Sequence, residues 1–132
     1  MPDRSKADIA ALTTTIANAY RTRDLDALTT LFATTHPVTA FGTGVDETCI
    51  GLEEVRAQFK KDWVALEAGS VEFLDNNITI NGDVAWVMSS CTLAFRIDGV
   101  DGSATARSTL VCVAESGAWR IAHWHISIPA WI

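Results

Sequence analysis

From Val71 to Ile128 the chain is a succession of β-type runs cut by short turn signals, and this half of the sequence limits what the rest can be. "VEFLDNNITI" is interrupted near Asp75–Asn77, and Asn81-Gly82-Asp83 marks a hairpin. Strands near Val84–Ile97, Ala104–Ala114 and Trp119–Ile128 follow, separated by "DGVDGS" and "ESGA". Connections this short join antiparallel neighbours, because a parallel pair needs a crossover of about a dozen residues or more. The expectation is a meander of four strands.

The N-terminal half reads differently. Ser5 with Asp8 three residues on forms a capping-box pattern, and Ile9, Leu12, Ile16 and Tyr20 then recur at helical spacing. Asp24 opens a shorter helix carrying Leu25, Leu28 and Phe32, which His36-Pro37 stops. "VTAF" reads as a short strand running into the glycine-rich loop "GTGVDETCIG" (Gly42 to Gly51). A third helix places Leu52, Val55, Phe59, Trp63 and Leu66 on one side. Helices and antiparallel strands in separate parts of the chain make the class α+β.

The strands are apolar on both faces. "VAWVM" is apolar throughout, and the last strand has Trp119 and Ile121 on one parity, Trp124, Ile126 and Ile128 on the other. A single antiparallel sheet normally wets one face. Three helices cover only one side of such a sheet, so the other is expected to pack against a second copy, giving a homodimer through the outer sheet face.

Composition removes several function classes. With 132 residues the chain is long enough for one domain, taken as 1–132, and too short for two. Net charge is −6 with no basic run, so the electrostatic footprint of a nucleic-acid binder is missing. "MPDRSKAD" lacks the apolar core of a signal peptide, and no apolar run reaches the roughly 18 residues that span a bilayer, which argues against a membrane partner. Cys49, Cys91 and Cys112 are odd in number and widely spaced, and read as reduced, buried small hydrophobes of a cytoplasmic protein.

The element order, together with "YRTRDLDALTTLF", "FGTGVDETCIGLEEV" and "GAWRIAHWHISIP", resembles the SnoaL-like branch of the nuclear transport factor 2-like superfamily over nearly the whole chain. The resemblance implies a cone, a curved antiparallel sheet wrapped around the N-terminal helices (a cystatin-like roll), with an apolar cavity inside and a dimer across the outer face. Relatives of this kind include polyketide cyclases, steroid isomerases, dehydratases, epoxide hydrolases and the association domain of calcium/calmodulin-dependent kinases, so fold alone does not choose a reaction. Carried over residue by residue, the resemblance subtracts. The acid/base positions of ketosteroid isomerases fall on Ile16, on the Ala40–Gly42 stretch and on Thr109–Leu110, and the pocket arginines of the kinase association domain fall on Leu110 and Ile126. None of these side chains can do that chemistry.

Two sets of residues remain as candidates. By strand alternation Trp119, Ile121, His123, His125 and Ser127 share one face, and Arg120, Ala122, Trp124, Ile126 and Ile128 the other, which is the parity expected of the cone's interior. His123 and His125 are therefore expected outside, at or near the dimer interface, with Arg107 on the same side, and a place in the pocket is the alternative. A His-x-His pair can also chelate, but a closed zinc site needs two further ligands and no partner is evident from spacing, so no metal and no cofactor is expected. Asp46 and Glu47 follow two glycines in a loop that the resemblance puts at the cone's mouth. Against apolar walls either would hold a raised pKa and move a proton near neutrality; in water they form an ordinary acidic turn. Tyr20, Trp63, Ser89 and Trp124 are candidate substrate contacts, each also explicable as core. Two functions stay open: a cofactor-independent lyase, isomerase or hydrolase acting on a small apolar molecule, or a ligand-binding or association module without turnover.

Overall fold

The computed structural model describes residues 5–130; residues 1–4 and 131–132, part of the 1–132 span taken above as one domain, lie outside the described residues. Helix α1 spans Lys6–Arg21, and its capping box forms as the sequence predicts: the Asp8 amide donates to Ser5 Oγ and the Ser5 amide to the Asp8 carboxylate. Ile9, Leu12 and Ile16 of the apolar stripe are buried. Helix α2 (Leu25–Thr30) is capped by Asp24, whose carboxylate accepts the Ala27 amide. Helix α3 (Leu52–Ala65) starts from Gly51 at φ 94°, a left-handed conformation that glycine adopts without a Cβ penalty.

Among the described residues six strands form one curved, unclosed sheet: β1 Thr39–Phe41, β2 Thr48–Ile50, β3 Ala68–Asn81, β4 Val84–Ile97, β5 Val100–Glu115 and β6 Ala118–Ser127, in the order β2-β1-β6-β5-β4-β3. The four C-terminal strands make the expected antiparallel meander. Two details differ from the sequence reading. Thr48–Ile50, read as part of a loop, pairs antiparallel with β1, and β1 pairs parallel with β6. A three-residue strand is too short to show alternation beside a glycine-rich turn, and its partners are fixed only by tertiary structure.

The turn between β4 and β5 is also shorter than "DGVDGS". It consists of Asp98 and Gly99, both at positive φ, as are Ser116 and Gly117 between β5 and β6. Both pairs are two-residue hairpins of the kind whose twist matches the flanking strands. Gly102, which signalled a loop in the sequence, sits inside β5 opposite Phe95. A Cβ there would stand 2.5 Å from the Phe95 ring, so the aromatic side chain lies across the glycine.

Two irregularities bend the sheet. In β3 the register shifts between Leu74 and Asn77, with Asp75 at φ 50°, where the sequence showed its interruption. In β6 Ile121 pairs with Cys112 and His123 with Val111, leaving Ala122 as an extra residue. Strict alternation therefore fails at this point. Trp119 and Ile121 are buried, at 6% and 0% exposure, and do not share the outer face with His123 and His125. Beyond the bulge Trp124 again points inward and His125 outward, on the parity expected for that end of the strand.

The helices cover the inner face. Ile9, Ile16, Leu28, Phe32, Val87, Leu110, Cys112 and Ile121 are fully buried there, each large side chain contributing about 1.5–3 kcal/mol by leaving water. All three cysteines are buried and unpaired. The outer face keeps Phe41, Val84, Trp86 and Met88 exposed, between 39% and 60%.

Candidate functional site

Not all of the inner face is filled. Between α1, α3, the β1–β2 loop and the ends of β3, β4 and β6 lies a cavity of about 480 Å³. Phe32, Val55, Phe59, Val71, Leu93 and Ile126 supply apolar wall, and Tyr20, Asp46, Glu47, Gln58, Lys61 and Asp62 supply most of the polar groups. Cys49, Phe95 and Trp124 complete the lining that matters here.

Four polar residues on that wall form one chain of hydrogen bonds. The Tyr20 hydroxyl donates to Asp62 Oδ2 at 3.0 Å. Gln58 Nε2 donates to Asp62 Oδ1 at 3.0 Å and to Glu47 Oε1 at 3.1 Å. Glu47 Oε2 accepts the Gly44 amide at 2.6 Å. Gln58 and Asp62 are one helical turn apart on α3, so both side chains reach the same side. The Gln58 amide must present its nitrogen to the pair, because its oxygen would face two acceptors.

The glycines of the β1–β2 loop explain how Glu47 reaches this position. A Cβ at Gly42 would stand 2.5 Å from Glu47 Oε1, and one at Gly44 would overlap Oε2. The Glu47 side chain folds back over the two glycines, and the Gly42 amide donates to the Glu47 carbonyl to close the loop. The spacing Gly-Thr-Gly-Val-Asp-Glu thus builds a seat for one carboxylate.

Burial sets the electrostatics. Desolvation raises the Glu47 pKa above its ordinary value; the Gly44 amide opposes this, and the neighbouring Asp62 and Asp46 charges add to it. Asp62 is also raised by desolvation, against the hydrogen bonds from Gln58 and Tyr20. Tyr20 is pushed up by burial and by the Asp62 charge, so its hydroxyl stays protonated as a donor.

The candidates from the sequence divide as follows. Tyr20, Asp46, Glu47 and Trp124 line the cavity, Asp46 from its exposed mouth. Trp63 and Ser89 are not among the lining residues. The Trp63 ring packs behind the wall, stacked on Phe59 and tilted against Tyr20. The Ser89 hydroxyl points inward but under α1, where it donates to Asn76 Oδ1 at 2.5 Å, and Asn76 in turn donates to Thr13. His123 and His125 lie outside: His123 Nδ1 is 2.7 Å from Thr39 Oγ1, and Phe41 packs against both rings. Among the described residues no three His, Cys, Asp or Glu side chains are grouped to hold a metal ion. No described helix is long and apolar enough to cross a membrane. The residues missed from sequence are Gln58 and Asp62, neither of which the sequence singled out.

Residues 9–131 match the family model of the SnoaL-like domain. The chain belongs to that family. Among curated proteins no relative matches this SnoaL-like domain. Solved structures do. A candidate dehydratase of the NTF2-like family from Streptomyces avermitilis is 18% identical over 98% of this chain and 100% of its own, with a TM-score of 0.89. A candidate scytalone dehydratase from Novosphingobium aromaticivorans is 12% identical over 94% of this chain and 83% of its own, at 0.83. A candidate calcium/calmodulin-dependent protein kinase II association domain from Xanthomonas campestris is 20% identical over 100% and 94%, at 0.84. At these identities the likeness establishes the fold, an NTF2-like sheet with cystatin-like character.

Proposed function

We propose that this SnoaL-like domain binds a small apolar molecule in the cavity and carries out cofactor-independent acid/base chemistry on it, as a lyase, isomerase or hydrolase. The observation that carries the reading is the Glu47–Gln58–Asp62–Tyr20 chain on the wall of an otherwise largely apolar cavity. Desolvated carboxylates with raised pKa values hold and release protons closer to neutrality than exposed ones. Glu47, nearest the mouth loop, is assigned the proton transfer. Tyr20 and Asp62 are assigned substrate positioning, and Trp124 the apolar contact. Asp46, exposed at the mouth, is the second candidate base. The names of two structural neighbours as candidate dehydratases favour elimination among the three reaction types.

The unit is proposed to act as one domain over 1–132, in the cytoplasm, as a homodimer through the outer face. Exposed Phe41, Trp86 and Met88 support that assembly, since they form an apolar band continuous with His123 and His125 across β1, β6, β5 and β4.

A second reading, ligand binding without turnover, is favoured by one observation: every carboxylate oxygen of Glu47 and Asp62 already accepts a hydrogen bond from the protein. The experiment is a thermal-shift screen with apolar polycyclic compounds, followed by mass spectrometry of any compound that binds. Acid/base catalysis by Glu47 requires Glu47→Gln to lose about 10²–10⁴-fold in turnover at saturating ligand, beyond any change in affinity, with Asp46→Asn near the parent. Binding with no product would leave the second reading.

A further inference from the structure

The hydrogen-bond accounting at the cavity wall specifies more than a proton relay. Four donors face this network: the Tyr20 hydroxyl, the two N–H bonds of the Gln58 amide and the Gly44 amide. All four are spent on the carboxylates of Glu47 and Asp62. A carboxylate pair offers about eight lone-pair sites, so roughly half remain open, joined by the Gln58 carbonyl oxygen. Within this network acceptors remain open and every donor is committed.

Its charge is equally one-sided. Asp46, Glu47 and Asp62 line the cavity against one cation, Lys61, which is exposed at the rim. Arg23, the cation beside Tyr20, is committed elsewhere: its guanidinium donates to the carbonyl oxygens of Trp63 and Leu66 at 2.5 Å each. Among the described residues neither Glu47 nor Asp62 has an ion-pair partner. Partly buried carboxylates are ordinarily paired, and a pair left without a cation is stabilised by one that arrives with a ligand. Tyr20, Phe59 and Trp124 border the same space, Phe59 lying 6.1 Å from the Tyr20 ring and 6.4 Å from the Trp124 ring. These rings give the cavity an apolar surface on which a hydrocarbon body packs.

We infer that the cavity selects an apolar molecule bearing a protonated amine, its ammonium seated on the Glu47 and Asp62 carboxylates and its hydrocarbon body against the Phe59 and Trp124 wall. This assignment rests on the proposed function and narrows its substrate class. It disfavours carboxylate and phosphate ligands, and ketones whose oxygen needs a donor from this network.

Three probes with one adamantane cage separate the possibilities by calorimetry at pH 7: adamantylamine as the cation, adamantanol as the neutral isostere and adamantane carboxylate as the anion. The amine is expected to bind at least about tenfold more tightly than the alcohol, the gain of a charge-assisted hydrogen bond, with the carboxylate weakest. In the double variant Glu47→Gln with Asp62→Asn that advantage is expected to vanish while the alcohol's affinity is retained. The ranking on the unaltered protein decides without the variant. An alcohol that equals or exceeds the amine, or a carboxylate that binds best, overturns the amine assignment and leaves the ligand cavity standing. No binding by any of the three overturns the cavity reading itself, and the proposed function with it.

Discussion

Replacing Gly44 by alanine tests the seat of Glu47 directly. Gly44 has no positive φ, so alanine meets no backbone strain there, and shortening the unfolded chain's freedom should stabilise by about 0.4–1 kcal/mol. The added methyl, however, overlaps Glu47 Oε2, which must leave the Gly44 amide it now accepts at 2.6 Å. A hydrogen bond to a charged group is worth about 1.5–3 kcal/mol, so the net expectation is a loss of about 1–2 kcal/mol. Urea unfolding followed by tryptophan fluorescence reads this as a lowered midpoint at unchanged slope. In a Glu47→Ala background nothing occupies the space, and the same Gly44→Ala change should become neutral or slightly stabilising. The double-mutant cycle should therefore return a coupling of about 1.5–3 kcal/mol between positions 44 and 47. Equal cost in both backgrounds would refute the reasoning, since the penalty would then belong to the loop backbone and not to the carboxylate.

Three further outcomes are expected. Glu115 accepts from the amides and hydroxyls of Thr34 and Thr35 and is held down at about 2, so its stabilisation is full above its unfolded value of 4.5 and is lost as pH falls through about 2. Denaturation measured from pH 5 to pH 2 should show that loss in the parent and a flatter profile in Glu115→Gln; identical slopes would exclude Glu115 as the cause. Trp124→Phe removes the indole donor to Ser108 Oγ at 2.9 Å and should cost about 1–2 kcal/mol, with an unchanged urea midpoint counting against that hydrogen bond. Met88→Glu and His125→Glu should shift the protein from dimer to monomer in light scattering at micromolar concentration, without changing probe affinity for the cavity. A parent protein that is already monomeric would rule out the proposed interface.

How much of this was legible before folding differs by element. The helical stripe put Tyr20 inside, and strand parity put Trp124 there, because those periodicities are local. Glu47 was visible as an acid after two glycines, although the reason for the glycines is a side chain folding back and appears only in three dimensions. Gln58 and Asp62 were hidden by their place on α3. They sit on the shoulder of the Val55–Phe59 stripe, where a residue reads as solvated unless the facing element is known. The one available signal was their spacing of four, beside a helix whose tyrosine needed an acceptor. Trp63 shares the stripe but sits behind Phe59, a distinction that periodicity does not carry. Trp119 and Ile121 were put on the wrong face because alternation has no means of announcing an extra residue.

That extra residue, Ala122, has a bearing on how such a cavity changes over descent. Removing it would let Ile121 and His123 meet Cys112 and Val111 in an unbroken ladder, with each neighbour still facing the side it faces now. What would change is the bend of the strand, and with it the depth of the space under Trp124 and Ile126. A single-codon insertion or deletion at this strand could thus resize the chamber while leaving its inventory of lining groups intact. Capacity and chemistry would then be inherited on separate dials, so that relatives with the same acids could house bodies of different bulk.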